Sequence, residues 1–185
     1  FSGANRRFEY VGSFDNMDVY DDYAHHPSEI SATAKAMKNK TYRQSWVVFQ
    51  PHTYSRTKEL LSDFAEALLD FDNIIVTDIY AAREKNTYGI TSKDLVRKIG
   101  DLGKNALYIS NFDDIADYIK SHACPHDLIL TGSFSTFLPL LSVIIQLFLN
   151  PFHCNRHNQI ENIVKDGCCH KRHHIRLGCR QRLGD

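Results

Sequence analysis

The sequence lacks net charge. Its 185 residues carry 22 Lys and Arg against 22 Asp and Glu, which excludes a chain whose whole surface is a field for nucleic acid. It lacks an apolar leader, since Phe1-Ser2-Gly3-Ala4-Asn5-Arg6-Arg7 contains no signal-peptide core. It lacks an initiating Met, and the expectation is a fragment of a longer protein. No phosphate loop of the form G-x-x-x-x-G-K-S/T occurs anywhere, so the chain by itself has no cradle for a triphosphate. Up to residue 131 the one cysteine is Cys124, which excludes a disulfide framework and fits a reducing cytoplasm. A composition of 43% hydrophobic and 24% charged residues excludes wholesale disorder.

The zero charge conceals two unlike parts. Residues 1–155 hold 15 basic against 19 acidic side chains, and residues 156–185 hold 7 against 3. Cys154, Cys168, Cys169 and Cys179 fall in or next to the second part, with His153, His157, His170, His173 and His174.

The first part alternates short apolar runs with helical patterns. Met17 to Asp21, Trp46 to Gln50, Asn73 to Asp78, Leu107 to Ile109 and Asp127 to Thr131 read as strands. Pro27 is placed to open a helix in which Ile30, Ala34 and Met37 share a face. Arg56 to Asp70 reads as one amphipathic helix capped by Ser55. Thr91 to Gly100 and Asp113 to Lys120 read as two more. About five strands alternating with four crossover helices predict an α/β domain with a Rossmann-like, mostly parallel sheet. Such sheets bind ligands beyond the carboxyl ends of their strands.

Three strand ends are crowded with ionisable groups. Asp21-Asp22-Tyr23-Ala24-His25-His26-Pro27 could meet ribose hydroxyls, an anion or a proton, or could simply cap the helix that follows. Adjacent residues seldom converge on one ion, so no metal site is read there. His52, Arg56 and Lys58 crowd a helix N-terminus, where their charge opposes the helix dipole and requires a negative partner; an anionic ligand fits. Asp78 to Lys85 forms the third turn, in which Arg83 and Glu84 could merely pair with each other.

In order, RRFE (6–9), DDYAHHPSEI (21–30), VVFQPHTYSRTK (47–58) and TDIYAAREKN (77–86) resemble the UDP-N-acetylmuramate–L-alanine ligases of the Mur ligase family. The resemblance covers about residues 1–131. It implies the end of a central ATP domain over residues 1–12, then the family's C-terminal domain over residues 13–131. It also implies ATP and Mg2+ as cofactors of the complete enzyme, a cytoplasmic location, and UDP-N-acetylmuramic acid and L-alanine as substrates. The carboxylate of the first is activated as an acyl phosphate and attacked by the amine of the second. Arg7 matches the family's phosphate-reaching arginine, Asp22 its ribose aspartate, and Tyr23 flanks the nucleotide or amino-acid pocket. His25, His52 and Arg56 match the acceptor side, as catalytic and substrate-binding residues. Some relatives carry a basic residue where this chain has Thr53, which leaves more of the anion-holding to Arg56 and Lys58. The N-terminal domain and nearly all of the central domain are missing, so the chain alone is expected to be inactive. A domain that holds a nucleotide without catalysis is the alternative. Neither nucleic acid nor membrane is expected as a partner.

The resemblance stops near Gly132, where the family's glycine-rich turn and closing helix are expected. Residues 132–185 read first as an atypical tail, a shifted frame or a joined segment. Phe134 to Leu149 is uncharged but, at 16 residues, short for a membrane span. Cys154-x-x-His157 and Cys169-x-x-x-His173, near Lys171, Arg172 and Arg176, allow a zinc-bearing nucleic-acid segment as a third reading.

Overall fold

The apolar runs of the sequence become the central strands of one sheet in the computed structural model, which describes residues 7–132. The strands are β1 (Glu9–Phe14), β2 (Met17–Asp22), β3 (Ser45–Phe49), β4 (Asn73–Val76), β5 (Ala106–Tyr108) and β6 (Leu128–Gly132). The helices are α1 (Pro27–Met37), α2 (Tyr54–Glu59), α3 (Leu61–Leu68), α4 (Ser92–Asp101) and α5 (Phe112–His122). The sheet order is β1-β2-β6-β3-β4-β5. Every pairing is parallel except that of β1 with β2.

Both faces of the sheet are covered, which is why its central strands carry no polar alternation. On one face Val47, Phe49, Ile74, Val76 and Leu130 pack with Phe64, Leu68, Leu95 and Ile99 from α3 and α4, and with Ile30 and Met37 from α1. On the other, Val19, Trp46, Val48, Ile75 and Ile129 pack with Ile115, Ala116 and Ile119 of α5. Each of the Val, Leu, Ile, Phe and Met side chains among them contributes on the order of 1.5–3 kcal/mol by its removal from water.

Two elements differ from the sequence reading. The first strand, β1, was missed. It forms a hairpin with β2 in which Asp15 and Asn16 both take positive φ, +50° and +61°, as a two-residue turn with the right twist requires. The helix expected over Arg56 to Asp70 is two helices that meet at Leu60 (φ −104°, ψ 23°), and its N-cap is Thr53 rather than Ser55. Leu60 and Leu61 both pack against the core. Consecutive residues point about 100° apart on one helix, so the break lets both reach it.

At the amino ends of the strands the sheet is locked by one buried carboxylate. Asp127 accepts from Arg43 Nε and Nη2, each at 2.8 Å, from Trp46 Nε1 at 2.9 Å and from Cys124 N–H at 3.0 Å. No helix among the described residues is long and apolar enough to cross a membrane. The uncharged run from Phe134 to Leu149 and the Cys/His tail lie outside the described residues.

Candidate functional site

At the carboxyl ends the chemistry is less tightly held. The chain leaves β2 at Asp22 and enters α1 at Pro27, which fixes the first helical φ and has no N–H to satisfy. His26 is the N-cap: its ring nitrogen accepts from Ser28 N–H at 3.3 Å, while Glu29 accepts from the N–H groups of His25 and His26 at 3.1 and 3.2 Å. Of the two adjacent histidines, His26 is therefore committed to the helix start. His25 has its Nδ1 3.0 Å from the Tyr23 carbonyl. A carbonyl only accepts, so Nδ1 carries the hydrogen there, and the same nitrogen lies 3.5 Å from a Glu29 carboxylate oxygen.

Asp22 is 5% exposed. One carboxylate oxygen accepts from Ala24 N–H at 3.0 Å and the other from the Thr33 hydroxyl. Burial pushes its pKa above the usual carboxylate value, against the pull of those bonds. Arg7, Asp22, Tyr23 and His25 line one cavity of about 410 Å³, whose far wall is α1 through Ala32 and Ala36. That volume lies in the range of small-molecule pockets. Phe8, stacked on Tyr20 at 4.5 Å, anchors the chain beside Arg7. The Arg7 side chain, 71% exposed and 3.7 Å from Glu29, is weakly tethered and can be redirected at a cost of about 1 kcal/mol or less.

The loop after β3 delivers the second group. His52 forms a bridge with Tyr80 of the loop after β4, and Thr53 N–H donates to the Tyr80 carbonyl at 2.8 Å. Thr53 sits at φ +62°, ψ +146°, a region held almost only by glycine and costing on the order of 1–3 kcal/mol. The bend puts Arg56 Nη1 3.5 Å from His52 Nδ1. The His52 and His25 ring centroids lie 6.4 Å apart, and Tyr80 flanks His52 at 5.6 Å. Burial lowers the His52 pKa, and the charges of Arg56 and His25 lower it further. At neutral pH His52 is therefore an uncharged acceptor beside a fixed cation.

The sequence reading is sorted by this geometry. Arg7, Asp22 and Tyr23 share the cavity; His25, His52 and Arg56 form a cluster beside it, and His25 belongs to both. Lys58 is exposed on α2, with no hydrogen bond or ion pair among the described residues. Two glutamates were missed. Glu29 carries the α1 start and both neighbours of the cavity mouth, and its position three residues after His26 was the capping-box signal. Glu84 does not pair with Arg83: it accepts from Ser55 N–H at 3.0 Å and Ser55 Oγ at 2.5 Å. The negative partner expected at the start of α2 is thus supplied within the fold.

A sheet parallel in all but its first pairing, with charged loops gathered at the carboxyl ends of its strands, defines a doubly wound α/β domain. The chain belongs to the Mur ligase family: the family model described as "Mur ligase, glutamate ligase domain" matches residues 6–133. It is 52% identical over 131 residues to a UDP-N-acetylmuramate–L-alanine ligase of Acetivibrio thermocellus, covering 71% of this chain and 28% of the relative. It is 55% identical over 131 residues to that of Caldanaerobacter subterraneus subsp. tengcongensis, with the same coverage. Among solved structures it resembles the UDP-N-acetylmuramate–alanine ligase of Thermotoga maritima, with TM-score 0.61 and 25% identity over 80% of this chain and 31% of that one. The chain therefore spans under a third of the length of these relatives.

Proposed function

We propose that this domain forms the acceptor side and the nucleotide lid of an ATP-dependent ligase joining L-alanine to UDP-N-acetylmuramic acid in the cytoplasm, a step of peptidoglycan synthesis. The observation that carries the reading is the convergence of His25, His52 and Arg56 on the rim of the cavity lined by Arg7, Asp22 and Tyr23. In this reading residues 1–12 close the central ATP domain, residues 13–131 are the C-terminal domain, and residues 132–185 are an atypical tail. The N-terminal and central domains bring the muramic substrate and the phosphate loop.

ATP fits the cavity by its chemistry. The alanine-lined wall of α1 suits a flat base, and the remaining lone pairs of Asp22 suit ribose hydroxyls. Arg7, exposed at the mouth, can swing toward a phosphate. Mg2+ finds no group of three or more His, Cys, Asp or Glu side chains among the described residues, so its ligands are assigned to the other domains and to the nucleotide. Bound there, it would neutralise charge on the transferring phosphoryl. Arg56 offers the planar fork that suits the L-alanine carboxylate. The His25 ring can take a proton from the alanine ammonium, freeing the amine that attacks the acyl phosphate. His52 holds Arg56 in place and stays uncharged, so it does not repel that ammonium. Lys58 contributes long-range attraction for the carboxylate.

The experiment joins this domain to the N-terminal and central domains of the A. thermocellus relative and measures L-alanine-dependent phosphate release. Activity is expected in the joined protein and absent from the 185-residue chain alone. Arg56→Ala is expected to raise the apparent KM for L-alanine by roughly tenfold to a hundredfold, the worth of one charge-assisted contact. An unchanged KM removes Arg56 from the acceptor site, and ATP turnover by the isolated chain contradicts the assignment of the phosphate loop to another domain.

A further inference from the structure

Glu84 reaches from the loop after β4 across to the start of α2, where it accepts from both the backbone N–H and the hydroxyl of Ser55. A local turn holds it there: Ala82 takes φ +55°, and Glu84 N–H donates to the Ala81 carbonyl at 2.8 Å. The same two loops are stitched by backbone on the N-terminal side of Ser55 and Glu84. Thr53 N–H donates to the Tyr80 carbonyl and Tyr80 N–H to the Pro51 carbonyl, each at 2.8 Å. His52 lies within that ladder, and Arg56 directly follows Ser55. Helix α2 has six residues and ends at the Leu60 break, too short to hold its own direction. Its first turn points where its anchors place it.

We propose that Glu84 is a positioning residue: by clamping Ser55 it fixes the first turn of α2, stands Arg56 beside His52, and occupies the α2 amide end itself. The acceptor carboxylate is then left to the Arg56 fork. A ligand carboxylate approaching the α2 amides would meet the like charge of Glu84, so it is steered to the guanidinium. This rests on the acceptor-site reading above, but the clamp itself is testable without it.

His52 reports the clamp. Burial, then Arg56 and His25, all lower its pKa, while the charge of Glu84 acts in the opposite direction. If Glu84 acted only through its charge, Glu84→Ala and Glu84→Gln would both lower the His52 titration midpoint. A clamp predicts otherwise. Glu84→Ala releases Arg56 and opens His52 to water, so the midpoint rises toward the ordinary value of about 6.5. Glu84→Gln keeps an acceptor oxygen for Ser55 and does not raise it. The measurement is an NMR titration of the His52 ring in the 185-residue chain. A rise confined to Glu84→Ala is the expected result, and equal downward shifts in both variants overturn the proposal.

In the joined ligase, Glu84→Ala is expected to raise the apparent KM for L-alanine about tenfold. The KM for ATP stays within about twofold, and Glu84→Gln recovers most of the loss. An L-alanine KM that does not move also overturns the proposal. A joined wild-type protein without activity, together with the His52 rise, supports the clamp and faults the ligase reading instead.

Discussion

Replacing Thr53 with glycine should stabilise the fold, although it removes a helix cap. At φ +62° and ψ +146° a β-branched residue stores on the order of 1–3 kcal/mol that glycine does not. Against that gain, glycine widens the unfolded ensemble by about 0.5–1 kcal/mol. Loss of the Thr53 oxygen, which accepts from Arg56 N–H at a long 3.4 Å, costs a few tenths of a kcal/mol when glycine takes the cap. The net is a gain of about 1 kcal/mol. Thr91, the N-cap of α4, supplies the control within the same chain. Its φ is −134°, so there is no strain to relieve, and Thr91→Gly also removes a hydroxyl that donates to Asp94 at 2.9 Å. That variant should lose about 1 kcal/mol. The same substitution at two helix starts therefore gives opposite signs, about 2 kcal/mol apart. With a urea slope of about 2 kcal/mol/M the midpoints separate by about 1 M. Trp46, the sole tryptophan and 4% exposed, reports the transition by its fluorescence. If Thr53→Gly destabilises as much as Thr91→Gly, Thr53 is not strained and the reasoning fails.

Asp127→Ala should be among the most damaging single changes away from the binding site. It strands the buried Trp46 Nε1–H and breaks both bonds to Arg43, whose side chain, 35% exposed, can still turn to water; the loss should be about 3 kcal/mol by urea unfolding. Asp22→Asn should show its effect through pH. The folded pKa of Asp22 is raised, so its stabilising contribution is complete below the unfolded value of about 4 and is lost as pH rises through the folded value. The stability of Asp22→Asn relative to wild type should therefore climb with pH above about 4 and then level off. A flat or falling difference means that Asp22 is not held above its ordinary pKa.

The sheet was legible because its strands are apolar on both faces, and runs such as Trp46-Val47-Val48-Phe49 admit few other readings. The hairpin strand β1 was not, because Glu9 to Phe14 lies at the sheet edge with three of six residues exposed and no apolar run. Its turn was written as Asp15-Asn16, a pair that tolerates positive φ without the usual glycine signal. Among the site residues, those carried by local chemistry were readable: Pro27 opens α1, and His25, His52 and Arg56 meet because parallel strands bring their loops to one end. What could not be read was contact between loops. The bond between Ser55 and Glu84 spans 29 residues, and no spacing rule predicts whether a glutamate turns toward Arg83 beside it or toward the helix start after the neighbouring strand.

The two ends of this sheet are held by different physics, and that difference bears on function. At the amino ends Asp127 is fully buried and makes four hydrogen bonds to three residues, so movement there leaves polar groups without water or partner. At the carboxyl ends the clamps are part-exposed: Arg7 to Glu29, Glu29 to the α1 start, and Glu84 to Ser55. Each can open and be replaced by water at small cost. Rigidity at one end and replaceable contacts at the other let the loops adjust to a ligand while the strands beneath them stay in register. The strained Thr53 belongs to this division, because its conformation persists only while the Tyr80 bridge and the Glu84 clamp hold it. Loosening either contact releases the strain into the one stretch of backbone that carries both His52 and Arg56. In the proposed ligase reading, the affinity of the acceptor side is therefore tied to the loop after β4, although none of the seven residues proposed for binding or catalysis lies on it.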